Sequence, residues 1–201
     1  MYRMGKEEAA AAARVIESGA LFRVNNGAQE TINFERELAE KMGAAYVLCV
    51  SEGTTALMCA LAGLGIRPGD EVIIPTYTYI ATASAVLAVG AIPVLADVDD
   101  SLTLSPEAAE RAITSRTRAL LPVHMAGMPC NMDALTDIAK KHGLFLIEDA
   151  CQAVGGSFRG RRLGTIGNAG AMSFNYFKII SAGEGGALLT SDQTVYKRAS
   201  I

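Results

Sequence analysis

Three pieces of the sequence carry residue types that can do covalent and acid–base chemistry together. The first is the stretch at 171–190, AMSFNYFKIISAGEGGALLT, in which one lysine, Lys178, sits among Phe174, Tyr176, Phe177, Ile179 and Ile180. Apolar surroundings strip hydration from an ammonium and favour the neutral amine, a nucleophile that forms a Schiff base with a carbonyl. The competing reading is a lysine that carries its charge to solvent along its alkyl stem. The second piece is LFLIEDACQ at 144–152, an apolar run ending in two neighbouring carboxylates, Glu148 and Asp149. In the third, VSEGTTAL at 50–57, a glycine and two threonines open a predicted helix. Free amides and the helix dipole at such an end favour a phosphate. A lysine, a strand-end carboxylate and a phosphate cradle are the parts that a pyridoxal phosphate enzyme needs.

The elements that must position these groups alternate along the chain. An alanine-rich helix is predicted over 6–18, closed by Gly19, followed by a loop over 22–30 with Asn25-Asn26-Gly27 as its turn signal. A helix over 31–42 follows, with Phe34, Leu38 and Met42 on one face and Gly43 as its cap. Strands at 45–50, 71–75, 92–98, 118–123 and 144–152 then alternate with helices at 54–64, 79–89, from Ser105-Pro106-Glu107 onward, and at 131–142. Serine as N-cap with proline at the first helical position is a strong start signal. Glycine- and arginine-rich 155–165 reads as an excursion, 169–175 and 185–190 as two further strands, and 192–200 as a helix with no closing signal, so the end reads as a cut. This alternation, with near-continuous apolar strands, predicts an α/β fold: a mostly parallel mixed sheet with helices on both faces, in three layers. Ligands bind such sheets at the carboxyl ends of the strands, where Asp149 and the 50–57 turn fall. Successive strand residues face opposite sides, so only one of Glu148 and Asp149 can point at a given ligand.

Composition excludes several classes of function. Half of the 201 residues are apolar, enough to bury a sizeable core. The net charge of −3 without a basic block argues against a nucleic-acid partner. No apolar run approaches the roughly 20 residues needed to span a bilayer. Glutamates stand where a signal peptide would carry its apolar core, which reads as a cytoplasmic protein. Cys49, Cys59, Cys130 and Cys151 lack a C-x-x-C pair, so neither a zinc site nor a disulfide framework is expected. Gly63-Leu-Gly65-Ile-Arg-Pro-Gly69 has the wrong spacing for a dinucleotide fingerprint and follows a helix where that fingerprint follows a strand. His142 ends a helix and reads as a polar cap. His124, in PVHMAG, reads as a structural loop residue near the active face.

The phrases SEGTTAL, PGDEVIIPTYTYIAT, GAIPVLADVD, PVHMAG, EDACQAVGG and SFNYFKIISAGEGG together resemble the DegT/DnrJ/StrS family of fold-type-I, pyridoxal-phosphate-dependent aminotransferases, in order and spacing and over nearly the whole chain from about Gly19. Such enzymes mainly act on keto sugars linked to nucleotides. The resemblance implies that Lys178 is the internal-aldimine lysine and Asp149 the partner of the pyridine nitrogen, with Glu148 as the competitor for that role. It further implies that Tyr79 stacks on the cofactor ring, with Tyr77 as the alternative, and that Gly53, Thr54 and Ser173 hold the phosphate. Gln152 falls at a position near the cofactor's phenolic oxygen. Sugar dehydratases similar to these enzymes have histidine at the aldimine position, so Lys178 puts the chain with the aminotransferases. LFRV, PVHMAGMPCNMD and SFNYFK also resemble members that aminate an eight-carbon 3-deoxy-octulosonate sugar.

By this resemblance, residues 1–30 form an N-terminal helix and loop segment. Residues 31–201 form an incomplete cofactor-binding large domain, and the small C-terminal domain is absent from the chain. The implied reaction moves an amino group from an amino acid, glutamate first, to a keto sugar in a homodimer whose partner completes the site. Two alternatives stand beside it. One is a truncated fragment that binds the cofactor without turnover; the other is a non-catalytic α/β binding module in which Lys178 is structural.

Overall fold

The computed structural model describes residues 4–21, 23 and 29–201. Most of the loop expected over 22–30 lies outside them, and Glu30 already starts a helix. Helix α1 (Lys6–Ser18) is closed by Gly19 in the left-handed conformation and buries none of its side chains. Helix α2 (Glu30–Met42) buries Leu38 and Met42. Then come β1 (Tyr46–Val50), α3 (Gly53–Gly63), β2 (Glu71–Pro75), α4 (Ala81–Ala88), β3 (Ile92–Ala96), α5 (Pro106–Arg111), β4 (Thr117–Leu120), α6 (Met132–His142) and β5 (Phe145–Asp149). A two-stranded hairpin, β6 (Ser157–Phe158) and β7 (Arg161–Arg162), occupies the glycine- and arginine-rich excursion. Strands β8 (Ala169–Ser173) and β9 (Gly186–Thr190) and helix α7 (Gln193–Ala199) complete the described chain.

Seven strands form one sheet in the order β1-β9-β8-β5-β4-β2-β3. Strand β9 pairs antiparallel with both β1 and β8, and the remaining pairs are parallel. Each face carries its own core, as strands covered on both sides require. Leu57 and Leu61, one turn apart on α3, pack with Val72, Ile74, Ile147 and Leu188 on one face. Ile73, Leu120 and Leu146 pack under α5 and α6 on the other. Burying one such leucine is worth about 1.5–3 kcal/mol. Strand β4 is shorter than the apolar run suggests because Pro122 has no amide to give to the ladder. Among the described residues, no helix is long and apolar enough to cross a membrane.

Candidate active site

The alternation of β5 decides which carboxylate enters the site. Ile147 belongs to the core beneath α3 and Leu146 to the core beneath α6, so Asp149 shares the α3 side and Glu148 the α6 side. Glu148 is fully buried and accepts four hydrogen bonds: from His124 Nε2 at 2.9 Å and from the amides of Gly164, Ile166 and Gly167 at 2.8, 2.5 and 2.7 Å. The Cys130 amide donates to His124 Nδ1 at 3.2 Å, which leaves the ring proton on Nε2 for Glu148. Both Glu148 oxygens are used in pinning the segment after β7 to the sheet, so Glu148 no longer competes for the site. His124 serves the loop architecture, as its sequence context suggests.

Asp149 faces a cavity of about 460 Å³ at the carboxyl ends of the strands. Its Oδ1 accepts from the Cys151 amide at 3.1 Å and its Oδ2 from the Thr82 hydroxyl at 2.8 Å. Because Thr82 gives its proton to Asp149, its 2.7 Å contact with Thr78 is one in which Thr78 donates. The threonine relay fixes the carboxylate while leaving oxygen lone pairs toward the cavity. Beside it, burial first and the Asp149 charge second push the Cys151 thiol well above its ordinary pKa. Cys151 is therefore a protonated wall residue, not a nucleophile.

The floor of the cavity is the β1–α3 turn. The first intrahelical bond of α3 runs from the Ala56 amide to Glu52 O at 3.1 Å, so the amides of Gly53, Thr54 and Thr55 have no partner within the helix. No side chain caps this end. A Cβ at Gly53 would lie 2.7 Å from Ser173 Cβ and 2.8 Å from Cys151 Sγ, so only glycine lets the helix end approach β8 and β5. Gly186 of β9 serves the same approach from the other side, where a Cβ would meet Glu52 and Gly53 backbone at 2.4–2.7 Å.

All seven residues singled out from the sequence line this one cavity: Gly53, Thr54, Tyr79, Asp149, Gln152, Ser173 and Lys178. Tyr79 faces the lysine, with its ring centroid 5.8 Å from Lys178 Nζ, whereas Tyr77 does not line the cavity. Gln152 is held by the Met125–Gly127 turn, accepting from the Ala126 amide at 3.1 Å and donating to Met125 Sδ at 3.4 Å. One expectation fails. Lys178 is not enclosed by its apolar neighbours, since Phe177 is 88 % exposed and Ile179 and Ile180 are exposed as well. Residues 174–185 form a loop anchored at its base by buried Phe174, with Phe177, Ile179 and Ile180 facing outward, and the lysine shares the cavity with Asp149, Glu184 and Asn175. Cys151, read from the sequence only as a thiol outside any metal or disulfide pattern, also lines the cavity, as do Asn175 and Glu184, while Thr82 backs Asp149; none of the four is among the site residues the sequence points to. The Thr78-x-x-x-Thr82 spacing at the start of α4 was the one available signal for the relay.

A phosphorylated pyridine aldehyde suits this donor set. Helix-end amides without partners in the helix and the Ser173 hydroxyl line the cavity where Gly53 brings the helix end close to β8, an anchored carboxylate stands on the sheet side, and a primary amine faces an aromatic ring.

Comparison with known proteins agrees. The dTDP-3-amino-3,4,6-trideoxy-alpha-D-glucose transaminase of Streptomyces venezuelae is 46 % identical over 194 residues, which are 96 % of this chain and 50 % of the relative. An aminotransferase structure from Psychrobacter cryohalolentis superposes with a TM-score of 0.93 at 40 % identity, covering 98 % of this chain and 50 % of that one. The structure of NtdA from Bacillus subtilis, solved with its cofactor PMP bound, superposes with a TM-score of 0.86 at 32 % identity, covering 98 % and 45 %. The chain thus spans about half the length of the curated relatives it matches. Matched over residues 2–201, with these neighbours in sequence and in fold, the chain belongs to the DegT/DnrJ/EryC1/StrS aminotransferase family.

Proposed function

We propose that this chain forms the cofactor-binding part of a pyridoxal-phosphate-dependent aminotransferase. In this reading it moves an amino group from an amino acid, with glutamate as donor, to a keto sugar or nucleotide-linked keto sugar. The reaction runs in the cytoplasm. When bound, pyridoxal phosphate supplies an electron sink for negative charge developing on the carbon that bears the transferred nitrogen. The chain's own residues do the rest. The amides at the start of α3, with the Thr54 and Ser173 hydroxyls, hold the phosphate. Asp149, fixed by Thr82 and the Cys151 amide, keeps a proton on the ring nitrogen. Tyr79, Gln152 and Lys178 would also hold the group, Tyr79 through its ring, Gln152 through its amide and Lys178 through its primary amine. The observation that carries this reading is the convergence of seven residues, spread over 126 positions of sequence, on one cavity beside a carboxylate anchored by its own relay.

The test is spectroscopic. Added pyridoxal phosphate is expected to give absorption near the visible edge, and borohydride followed by peptide mass mapping is expected to place the reduced adduct on Lys178. An unchanged adduct in Lys178→Ala would remove the assignment.

A second reading has its own support. Phe177, Tyr79 at 64 % and Ile80 at 68 % exposure leave an apolar rim around the cavity, of the kind that further polypeptide covers. On this reading the 201-residue chain by itself holds the cofactor but turns over keto sugars little, because an open site does not keep the reacting groups together. A second copy of the chain, completing a homodimer, is the cover we propose. Sedimentation of the 201-residue chain with and without cofactor, beside an assay with a keto sugar, separates the two readings.

A further inference from the structure

The loop that carries Lys178 is anchored at its base and turns most of its large apolar side chains outward. Phe174 at its base is buried and packs edge-on against Phe34 with centroids 5.4 Å apart, and the Phe174 amide donates to Gly185 O at 2.8 Å. Between those points Phe177, Ile179 and Ile180 face outward, so polar contacts set where the lysine stands. Most of them meet at Asn175. Its Oδ1 accepts from the Phe177 amide at 3.1 Å, a side-chain turn over two residues, and its carbonyl accepts from the Lys178 amide at 2.9 Å. Its own amide donates to Ser173 Oγ at 3.4 Å. Its Nδ2 donates to Glu184 Oε1 at 2.6 Å, across the neck of the loop. The neck is also closed by bonds from Tyr176 N to Gly183 O and from Ala182 N to Phe174 O, each 2.9 Å.

We propose that Asn175 and Glu184 form a positioning clamp that fixes the Lys178 loop over the cavity and ties it to Ser173, so that the amine and the Ser173 hydroxyl hold a constant separation. The importance of that separation rests on the function proposed above; the clamp itself rests on the hydrogen bonds alone. The direction of each bond follows from the network. Oδ1 is committed to the Phe177 amide, so Nδ2 is the atom that faces Glu184, and the bond is charge-assisted. Neither residue is a reacting group in this assignment. They act through the backbone of 176–183.

The donor and acceptor can be exchanged, which makes the clamp testable. In Asn175→Asp the Phe177 turn keeps its acceptor, but a carboxylate oxygen faces Glu184 and the neck is pushed apart. In Glu184→Gln the acceptor oxygen remains and only the charge is lost. In the double variant Asn175→Asp/Glu184→Gln the glutamine amide donates to the new carboxylate, and the bond is restored in reverse. Hydrogen exchange of the Tyr176, Lys178 and Ala182 amides in the 201-residue chain reads the loop directly, without cofactor. Borohydride trapping with pyridoxal phosphate reads how often the amine is in place. Asn175→Asp is expected to exchange about tenfold faster at these amides, on the scale of one charge-assisted bond, and to trap more slowly. Glu184→Gln should stay near the unmodified chain, and the double variant should return most of the way. Exchange in Asn175→Asp equal to the unmodified chain, or a double variant as fast as Asn175→Asp, would overturn the clamp. If the exchange pattern holds while no adduct forms on Lys178 in any variant, the clamp stands and the cofactor assignment falls.

Discussion

Glu148 and Asp149 are adjacent, both carry a carboxyl group and both belong to one strand, yet they are used in opposite ways. Glu148 is sealed under α6 with three backbone amides and one imidazole spent on it. Asp149 is anchored by one amide and one hydroxyl and lines an open cavity. A buried carboxylate is tolerable only when its partners are complete, and complete partners leave it no chemistry to do. A carboxylate that acts on a ligand must be held firmly and left partly unspent. The difference between the two is a single step of strand alternation.

The comparison breaks most visibly at the groups facing Asp149. Lys178→Ala is expected to abolish the borohydride-reducible adduct outright, as read by absorbance and mass. Asp149→Ala should leave the phosphate cradle able to hold the cofactor, while slowing half-transamination by orders of magnitude more than binding weakens. A stopped-flow measurement beside a cofactor titration separates the two effects. Equal losses in rate and binding would make Asp149 a mere wall residue.

Glu148 should respond in the other currency. Glu148→Ala leaves three amides and His124 without a partner inside the fold, and breaking a buried charge network costs about 3–5 kcal/mol. Chemical denaturation is expected to show that loss, whereas Asp149→Asn, which keeps one oxygen for the Cys151 amide and offers an amide donor that the Thr82 hydroxyl can turn to accept, should stay within about 1 kcal/mol of the unmodified chain. The reverse pattern would exchange the roles of the two neighbours.

What the sequence made legible follows from the range of each signal. The ends of β5 and the start of α3 are local, written in an apolar run that stops at a carboxylate and in a glycine-threonine turn, and both place site residues where the structure has them. Helix starts and stops marked by Ser105-Pro106 and by Gly143 are equally local. The relay from Thr82 to Asp149 spans 67 positions and needs the β2–β4–β5 neighbourhood before it exists. Apart from the Thr78-x-x-x-Thr82 spacing, nothing short-ranged announces it. Lys178 shows the opposite error. Its flanking phenylalanines and isoleucines read as an apolar enclosure, but adjacency in sequence does not say which side of a loop meets water, and in the structure most of them face out.

A smaller effect tests how tightly the open side is built. In Gly53→Ala the new Cβ would sit within 2.8 Å of Ser173 Cβ and Cys151 Sγ, and Ser173 Cβ is fixed to strand β8 and cannot swing away. The helix end must retreat, at a cost of about 1–3 kcal/mol for an overpacked contact. Phosphate affinity should fall with it, because the amides retreat too. Measuring inorganic phosphate competition against pyridoxal phosphate in Gly53→Ala reads this without any turnover. Unaltered competition would mean that the phosphate is held elsewhere.

The smallest expected effect extends the comparison to a third carboxylate at the far end of the sheet. Glu71 opens β2 and is buried, and its pKa is held below the ordinary value by the Thr114 hydroxyl first, against desolvation, with Arg116 assisting. On the surface, Glu110 is likewise lowered, by Lys141 first and then His142. A depressed folded-state pKa means that the unfolded chain binds protons more readily. Stability from both groups is therefore fully present above the unfolded value near 4.5 and is lost as pH falls through the lower folded values. A melting temperature that these groups leave level from pH 7 to 5 and pull down below about pH 4.5 is the expected profile. Glu71→Gln keeps an acceptor for Thr114 but has no proton to take up, so it should lower stability at pH 7 and flatten the acid limb. An acid limb of unchanged slope in Glu71→Gln would show that Glu71, unlike Glu148, is only filling space at the edge of the core.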